Sequence, residues 1–181
     1  MPFEVSEFRA QMIGDGARPN LFEVSMPYPG FSSPGAAMEK MTFMAKSAQL
    51  PGSSIGVVQQ QYFGRELKFA GNRVFQDWSV NVINDEDFII RNALERWLNG
   101  INSHTLNIRA SGILPPASYT VDSNVLQYGK MGDVIKKYKF IGMFPVDVSP
   151  IDVDWGANDV IEEFSVTFAY QWWTSEDDGV I

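Results

Sequence analysis

The chain of 181 residues contains no cysteine, which removes disulfides, thiolate catalysis and thiolate metal sites together. It holds a single histidine, His104, set between Ser103 and Thr105. With no second histidine and no Ser–His–Asp spacing to join, His104 reads as a surface residue, not a base or a ligand. No window approaches eighteen apolar residues, so no membrane anchoring is expected. The first twenty residues, MPFEVSEFRAQMIGDGARPN, lack a basic region followed by an apolar run, so no signal peptide is expected and the reading is a soluble protein made in a cytoplasm. Positive charge is scarce: 14 Lys and Arg stand against 22 Asp and Glu, for a net charge of −8. Surfaces that grip nucleic acid cluster Lys and Arg against phosphates. This balance argues against gripping and is compatible with letting a polyanion pass.

Two stretches imitate functional motifs and fail on inspection. In DVDWGANDVIEE, Asp152, Asp154 and Glu163 fall at the first, third and twelfth positions of a calcium loop. The fifth position is Gly156 and the required glycine is Ala157, while the flanks read as strands and not helices. GDGARP, from Gly14 to Pro19, starts like a dinucleotide loop, but no strand precedes it and Pro19 stands where the third glycine belongs. The acidic pairs do no better: Glu162 and Glu163 point to opposite strand faces, and Glu176 to Asp178 sit in a terminal tail. An enzyme is therefore not expected, nor a cofactor or metal.

What the chain has is apolar content of 45%, aromatic content of 13% and clear periodicity. Length and composition predict one domain over residues 1–181, with an irregular N-terminal arm at 1–19 and a mobile C-terminal tail at 174–181. Residues 20–26 alternate as a half-buried strand, and residues 41–47 form a second strand with Phe43 and Ala45 inward. Residues 56–63 and 65–70 read as a bent strand pair around Gly64, followed by a tight turn at Gly71 and Asn72. From Gln76 to Asn84 the pattern alternates again. Asn84 or Asp85 then caps a helix whose apolar stripe comprises Ile90, Ala93, Leu94, Trp97 and Ile101, with Gly100 ending it. Ile90, Leu94 and Trp97 are the residues expected to pack that helix onto the strands. Strands follow at 118–128 and 134–144, then a long acidic loop at 145–159. The run 161–173 is the clearest strand, with Phe164, Val166, Phe168, Tyr170 and Trp172 on one face. About seven or eight strands and one helix predict a mainly β fold: a β-sandwich or barrel with one flanking α-helix.

Set in order, ARPNLFEV, LPGSSIG, KFAGNRVFQDWSVNVINDED, IGMFPVDVSPIDVDW and EEFSVTFAYQWW resemble the tail tube proteins of contractile-tailed bacteriophages, from about Arg18 to Trp173. Departures lie in the longer 28–40 loop, the arm and the tail. The resemblance implies a β-sandwich with a flanking helix, shared with the tube proteins of type VI secretion systems. It implies hexameric rings of this chain stacked into a hollow tube within the virion tail, assembled in the host cytoplasm. The partners it implies are further copies of the chain, the sheath, baseplate, tail terminator and tape measure proteins, and phage DNA that passes through without specific binding. Alternation assigns Gln59, Gln61, Glu66, Lys68, Ser79, Asn81, Glu163, Ser165 and Thr167 to the channel wall. Two other readings remain: the tube of a headless contractile particle or secretion system, and, more remotely, a monomeric β-barrel that binds a small apolar ligand.

Overall fold

The computed structural model describes residues 4–13, 16–32, 35–113 and 115–175. In chain order its elements are α1 (Val5–Gln11), β1 (Phe22–Ser25), α2 (Ala36–Met44), β2 (Ala45–Ala48), β3 (Ser53–Tyr62), β4 (Arg65–Phe75), β5 (Trp78–Ile83), α3 (Ile89–Ile101), β6 (Val121–Tyr128), β7 (Val134–Val148), β8 (Glu163–Ala169) and β9 (Trp172–Ser175), with a 3-10 turn at Pro116–Ser118. The fold is mainly β. Its strands run in the order β1-β6-β7-β8-β5-β2, with β9 also on β7, while β3 and β4 pair only with each other.

β7 is the hinge of the architecture. Its first half pairs with β6 and with β9 (Tyr138↔Ser175, Ile141↔Trp172). Its second half pairs with β8 (Phe144↔Ala169, Val148↔Val166). The change of partner falls at Gly142, whose φ of 64° favours glycine, and a bulge follows between Pro145 and Asp147. Proline cannot donate to a ladder, so a bulge is where a strand tolerates one. The strand therefore runs on to Val148, and the acidic loop begins later than residue 145.

The core lies between the two layers made this way. Val24, Val125 and Phe140 meet Trp78, Val80, Val82, Phe164, Val166 and Phe168 in one cluster, and the rings of Trp78 and Phe140 lie 4.6 Å apart. α3 covers the cluster with Ile90, Ala93, Leu94 and Trp97, all buried. The Trp97 Nε1–H donates to the carbonyl of Tyr119 at 2.7 Å, which satisfies its polar end.

Several local expectations are corrected. Residues 36–44 form a helix where 41–47 alternated as a strand, because Ala37, Met41 and Met44 at helical spacing meet the core and Ala, Met, Glu and Lys favour helix. Two helices thus flank the sheets, not one. Val5–Gln11 is helical and not irregular, with no buried residue. Gly71 and Asn72 do not turn the chain: β4 runs through them to Phe75, with a bulge opposite Gly56. A Cβ on Gly71 would lie 2.9 Å from the Gly56 carbonyl oxygen, so glycine here serves close approach of two backbones.

α3 begins five residues after Asn84, which instead donates its backbone N–H and its Nδ2 to Glu162. Asp87 accepts the Ile89 N–H at 3.1 Å. Gly100 lies inside α3, where a Cβ would meet the Phe31 ring at 2.4 Å. The run 161–173 breaks at Tyr170 and Gln171 into β8 and β9, which leaves Trp172 half-exposed. Of the expected tail, Thr174 and Ser175 belong to β9, and 176–181 lie outside the described residues.

Candidate assembly surface

The hairpin of β3 and β4 is the longest exposed strand pair among the described residues. All ten residues of β3 are exposed, and in β4 only Gly71 and Phe75 are partly covered. Phe63 and Gly64 connect the strands with φ of 46° and 76°, the two positive values that a tight two-residue hairpin turn requires. The base is anchored on the body: Phe75 packs near Tyr170 and Trp173, and the Trp173 Nε1–H donates to the Gly52 carbonyl at 3.1 Å.

Register sorts the hairpin into two faces, because directly opposed residues share one. Gln59 opposes Lys68 and Gln61 opposes Glu66, so all four sequence candidates in this region lie on one face. Lys68 and Glu66 form an ion pair at 3.6 Å. The opposite face places Val58 against Phe69, Gln60 against Leu67, Tyr62 against Arg65 and Ser54 against Val74. Its five large apolar side chains are each 44–63% exposed. An isolated two-stranded hairpin is marginal in water, and an unpaired strand edge invites another chain.

The other five candidates lie together on the outward face of β5 and β8. Ser79 opposes Thr167, Asn81 opposes Ser165 and Ile83 opposes Glu163. The two hydroxyls of the first pair are 3.2 Å apart. Asn81 Nδ2 donates to Ser47 Oγ at 2.9 Å, and Lys46 Nζ meets Glu163 Oε1 at 2.5 Å. The intervening residues Trp78, Val80 and Val82 with Phe164, Val166 and Phe168 fill the core. The two sets of candidates are therefore each coherent, one on the hairpin and one on the sheet.

Three features carry no signal in the alternation. α2 ties to the start of α3 through Lys40, which forms ion pairs with Asp85 and Asp87. The Lys40 hydrogen bond holds both carboxyls below the usual carboxylate range, helped by the N–H of Glu86 at Asp85 and of Ile89 at Asp87. The apolar face of the hairpin is the second, since exposed Val, Leu, Phe and Tyr look like core in a sequence. The third is Trp155, fully exposed in the loop between β7 and β8. A tryptophan inside a non-periodic acidic run was the available hint. The Asp154 carboxylate accepts the Gly156 N–H at 2.9 Å and fixes that turn.

Comparison with known proteins follows the same lines. Residues 17–176 match the phage tail tube protein family. The chain is 32% identical over 166 residues to the tail tube protein gp19 of Enterobacteria phage T4, covering 91% of this chain and 95% of that protein. It is 26% identical over 168 residues to the tail tube protein of Serratia phage KSP90, covering 92% and 93%. In fold it is similar to a subunit of the anti-feeding prophage tube-terminating cap, with a TM-score of 0.65 at 13% identity over 91% of this chain and 93% of that one. A subunit of the PVC sheath–tube complex, an extracellular contractile injection system in its extended state, superposes with a TM-score of 0.59 at 14% identity over 96% and 97%. The phage tail tube relatives are structural proteins and not enzymes, and by the extent of the match this chain belongs to the phage tail tube protein family.

Proposed function

We propose that the chain forms hexameric rings that stack into the inner tube of a contractile phage tail, the conduit for DNA ejection. The observation that carries this reading is the β3–β4 hairpin, a long strand pair exposed on both faces. Its apolar face packs on a neighbouring copy, and its polar face joins the outward face of β5 and β8 as channel wall. Gln59, Gln61, Glu66, Lys68, Ser79, Asn81, Glu163, Ser165 and Thr167 then line the lumen. That set carries two acids and one base, and the base lies against an acid. Such a wall hydrates DNA and offers few phosphate contacts, so the polyanion slides and is not retained. The sheath surrounds the tube, baseplate and terminator proteins cap its ends, the tape measure protein occupies it before DNA, and assembly takes place in the host cytoplasm. In this reading residues 1–181 act as one tube domain.

Electron microscopy of the purified protein, alone and seeded with baseplates, tests the reading. Hollow tubes with six-fold end views are the expected result. Monomers at every concentration with seeds present would overturn it.

A further inference from the structure

Register places one irregularity in the β3–β4 hairpin. Ile55 opposes Arg73 and Val57 opposes Ala70, so Gly56 on β3 faces both Gly71 and Asn72 on β4. Two residues against one bend the longer strand and sharpen its twist at that point. The contact is backbone on backbone. A Cβ on Gly71 would lie 2.9 Å from the Gly56 carbonyl oxygen and 3.1 Å from its carbon. A Cβ on Gly56 would meet the Asn72 carbonyl at 3.5 Å, an ordinary contact. Neither glycine has a positive φ, so Gly71 is required by close approach and Gly56 is not.

The bulge divides the hairpin into two parts with different support. Below it, Ser53 to Ile55 pair with Arg73 to Phe75. This base is tied to the body by Phe75 near Tyr170 and Trp173 and by the Trp173 Nε1–H on the Gly52 carbonyl. The Arg73 guanidinium also donates to Ser53 Oγ at 3.3 Å, across the two base strands. Beyond the bulge every residue from 57 to 70 is exposed. There Lys68 pairs with Glu66 and the Tyr62 ring lies 4.6 Å from that of Phe63, contacts of the hairpin with itself. The direction in which this outer part leaves the body is thus set where the strands bend. Val57 to Tyr62 reach about 20 Å beyond the bulge at about 3.3 Å per residue. A change of roughly 20°, the ordinary twist between neighbouring strands, would carry the tip about 7 Å, more than the roughly 4.8 Å between paired strands.

We propose that the Gly56–Gly71 bulge is a fixed corner that aims the outer hairpin at the neighbouring copy, with Gly71 the residue that holds its angle. The inference rests on the ring reading above and adds the part that orients its contact. A heterologous interface closes into a ring only at the right rotation and otherwise runs on into an open filament. Each copy must therefore present its hairpin at one angle, and the corner supplies that angle from within the chain. A side chain at position 71 would push the Gly56 backbone away and open it.

Two alanine substitutions and one distance test the corner. Gly71→Ala should leave the thermal midpoint of the subunit unchanged, because the core cluster holds no residue of β3 or β4. Its subunits should nevertheless fail to grow tubes from baseplate seeds. Gly56→Ala, the same change on the facing glycine, should grow them as the wild type does. Because the chain has no cysteine, spin labels can be placed on the free subunit at Gln60→Cys in the outer hairpin and Arg96→Cys on α3. They should report one narrow distance, displaced by several ångströms in Gly71→Ala and unchanged in Gly56→Ala. Four results would each overturn the corner and leave the tube reading standing: wild-type tube growth by Gly71→Ala, arrest by Gly56→Ala as well, a marked fall in the Gly71→Ala midpoint, or a broad spread of distances in the otherwise native hairpin. A wild-type chain that never forms tubes would overturn the ring reading and the corner's part in it together.

Discussion

The β3–β4 hairpin and the β5–β8 pair are built from the same material and used in opposite ways. Both are antiparallel, both alternate, and both carry a face with Gln, Asn, Ser, Thr or a few charges, which in the hairpin also includes the exposed Ile55 and Val57. In β5–β8 the alternate face closes on a core of Trp78, Phe140 and Phe168 beneath α3. In β3–β4 the alternate face holds Val58, Tyr62, Leu67, Phe69 and Val74 and is open. Burying a large apolar side chain contributes about 1.5–3 kcal/mol. In β5–β8 that contribution is taken within the chain and holds the fold. In β3–β4 it is available only to association. Period-two alternation therefore specifies a face, and position in the fold specifies whether the same molecule or another copy covers it.

The sharpest way to break this comparison is to truncate one large residue on each side. Phe168→Ala or Trp97→Ala should destabilise the subunit by about 3–5 kcal/mol, read as a large fall in thermal midpoint. A melt that scarcely moves would mean the β5–β8 core is not what holds the fold. Phe69→Ser should shift stability by no more than about 0.5 kcal/mol, as surface changes do, yet abolish ring or tube formation in sedimentation. A marked loss of fold stability from Phe69→Ser would erase the distinction between the two regions.

A finer test addresses the polar faces. Glu163 is a poor place to add positive charge because it pairs with Lys46, so a lysine there would also create a like-charge contact. Asn81→Lys adds the charge on the same face without removing an acid. Tubes of that variant should assemble but release DNA slowly, with the defect relieved at high salt as phosphate contacts weaken. Ejection at wild-type rate in low salt would remove this face from the channel wall.

The smallest effect concerns the joint between α2 and α3. Lys40 holds the Asp85 and Asp87 carboxyls below their ordinary range. Groups with depressed folded-state values contribute stability above the unfolded value, about 3.9 for Asp, and lose it as pH falls through the lower folded value. Wild type should thus exceed Lys40→Met in thermal midpoint by a small constant amount near neutral pH, with the gap closing below about pH 4. A gap that widens in acid would contradict the ion pairs.

The sequence by itself determined those elements where local preference and burial agree. α3 was legible because Ile90, Ala93, Leu94 and Trp97 share one helical stripe and that stripe is what the core buries. β5 and β8 were legible for the same reason at period two, and the nine polar candidates fall on coherent faces because register preserves alternation. The tertiary structure decided the rest. Residues 41–44 satisfy both a strand and a helix pattern, and only the position of Ala37 and Met41 over the core selects the helix. Gly71 suits a turn or a bulge, and the facing Gly56 backbone selects the bulge. One apolar run from 161 to 173 became two strands because β7 changes partner at Gly142. The open face of the hairpin and the exposure of Trp155 could not be read in advance, since hydrophobicity records that a side chain avoids water and not which molecule covers it.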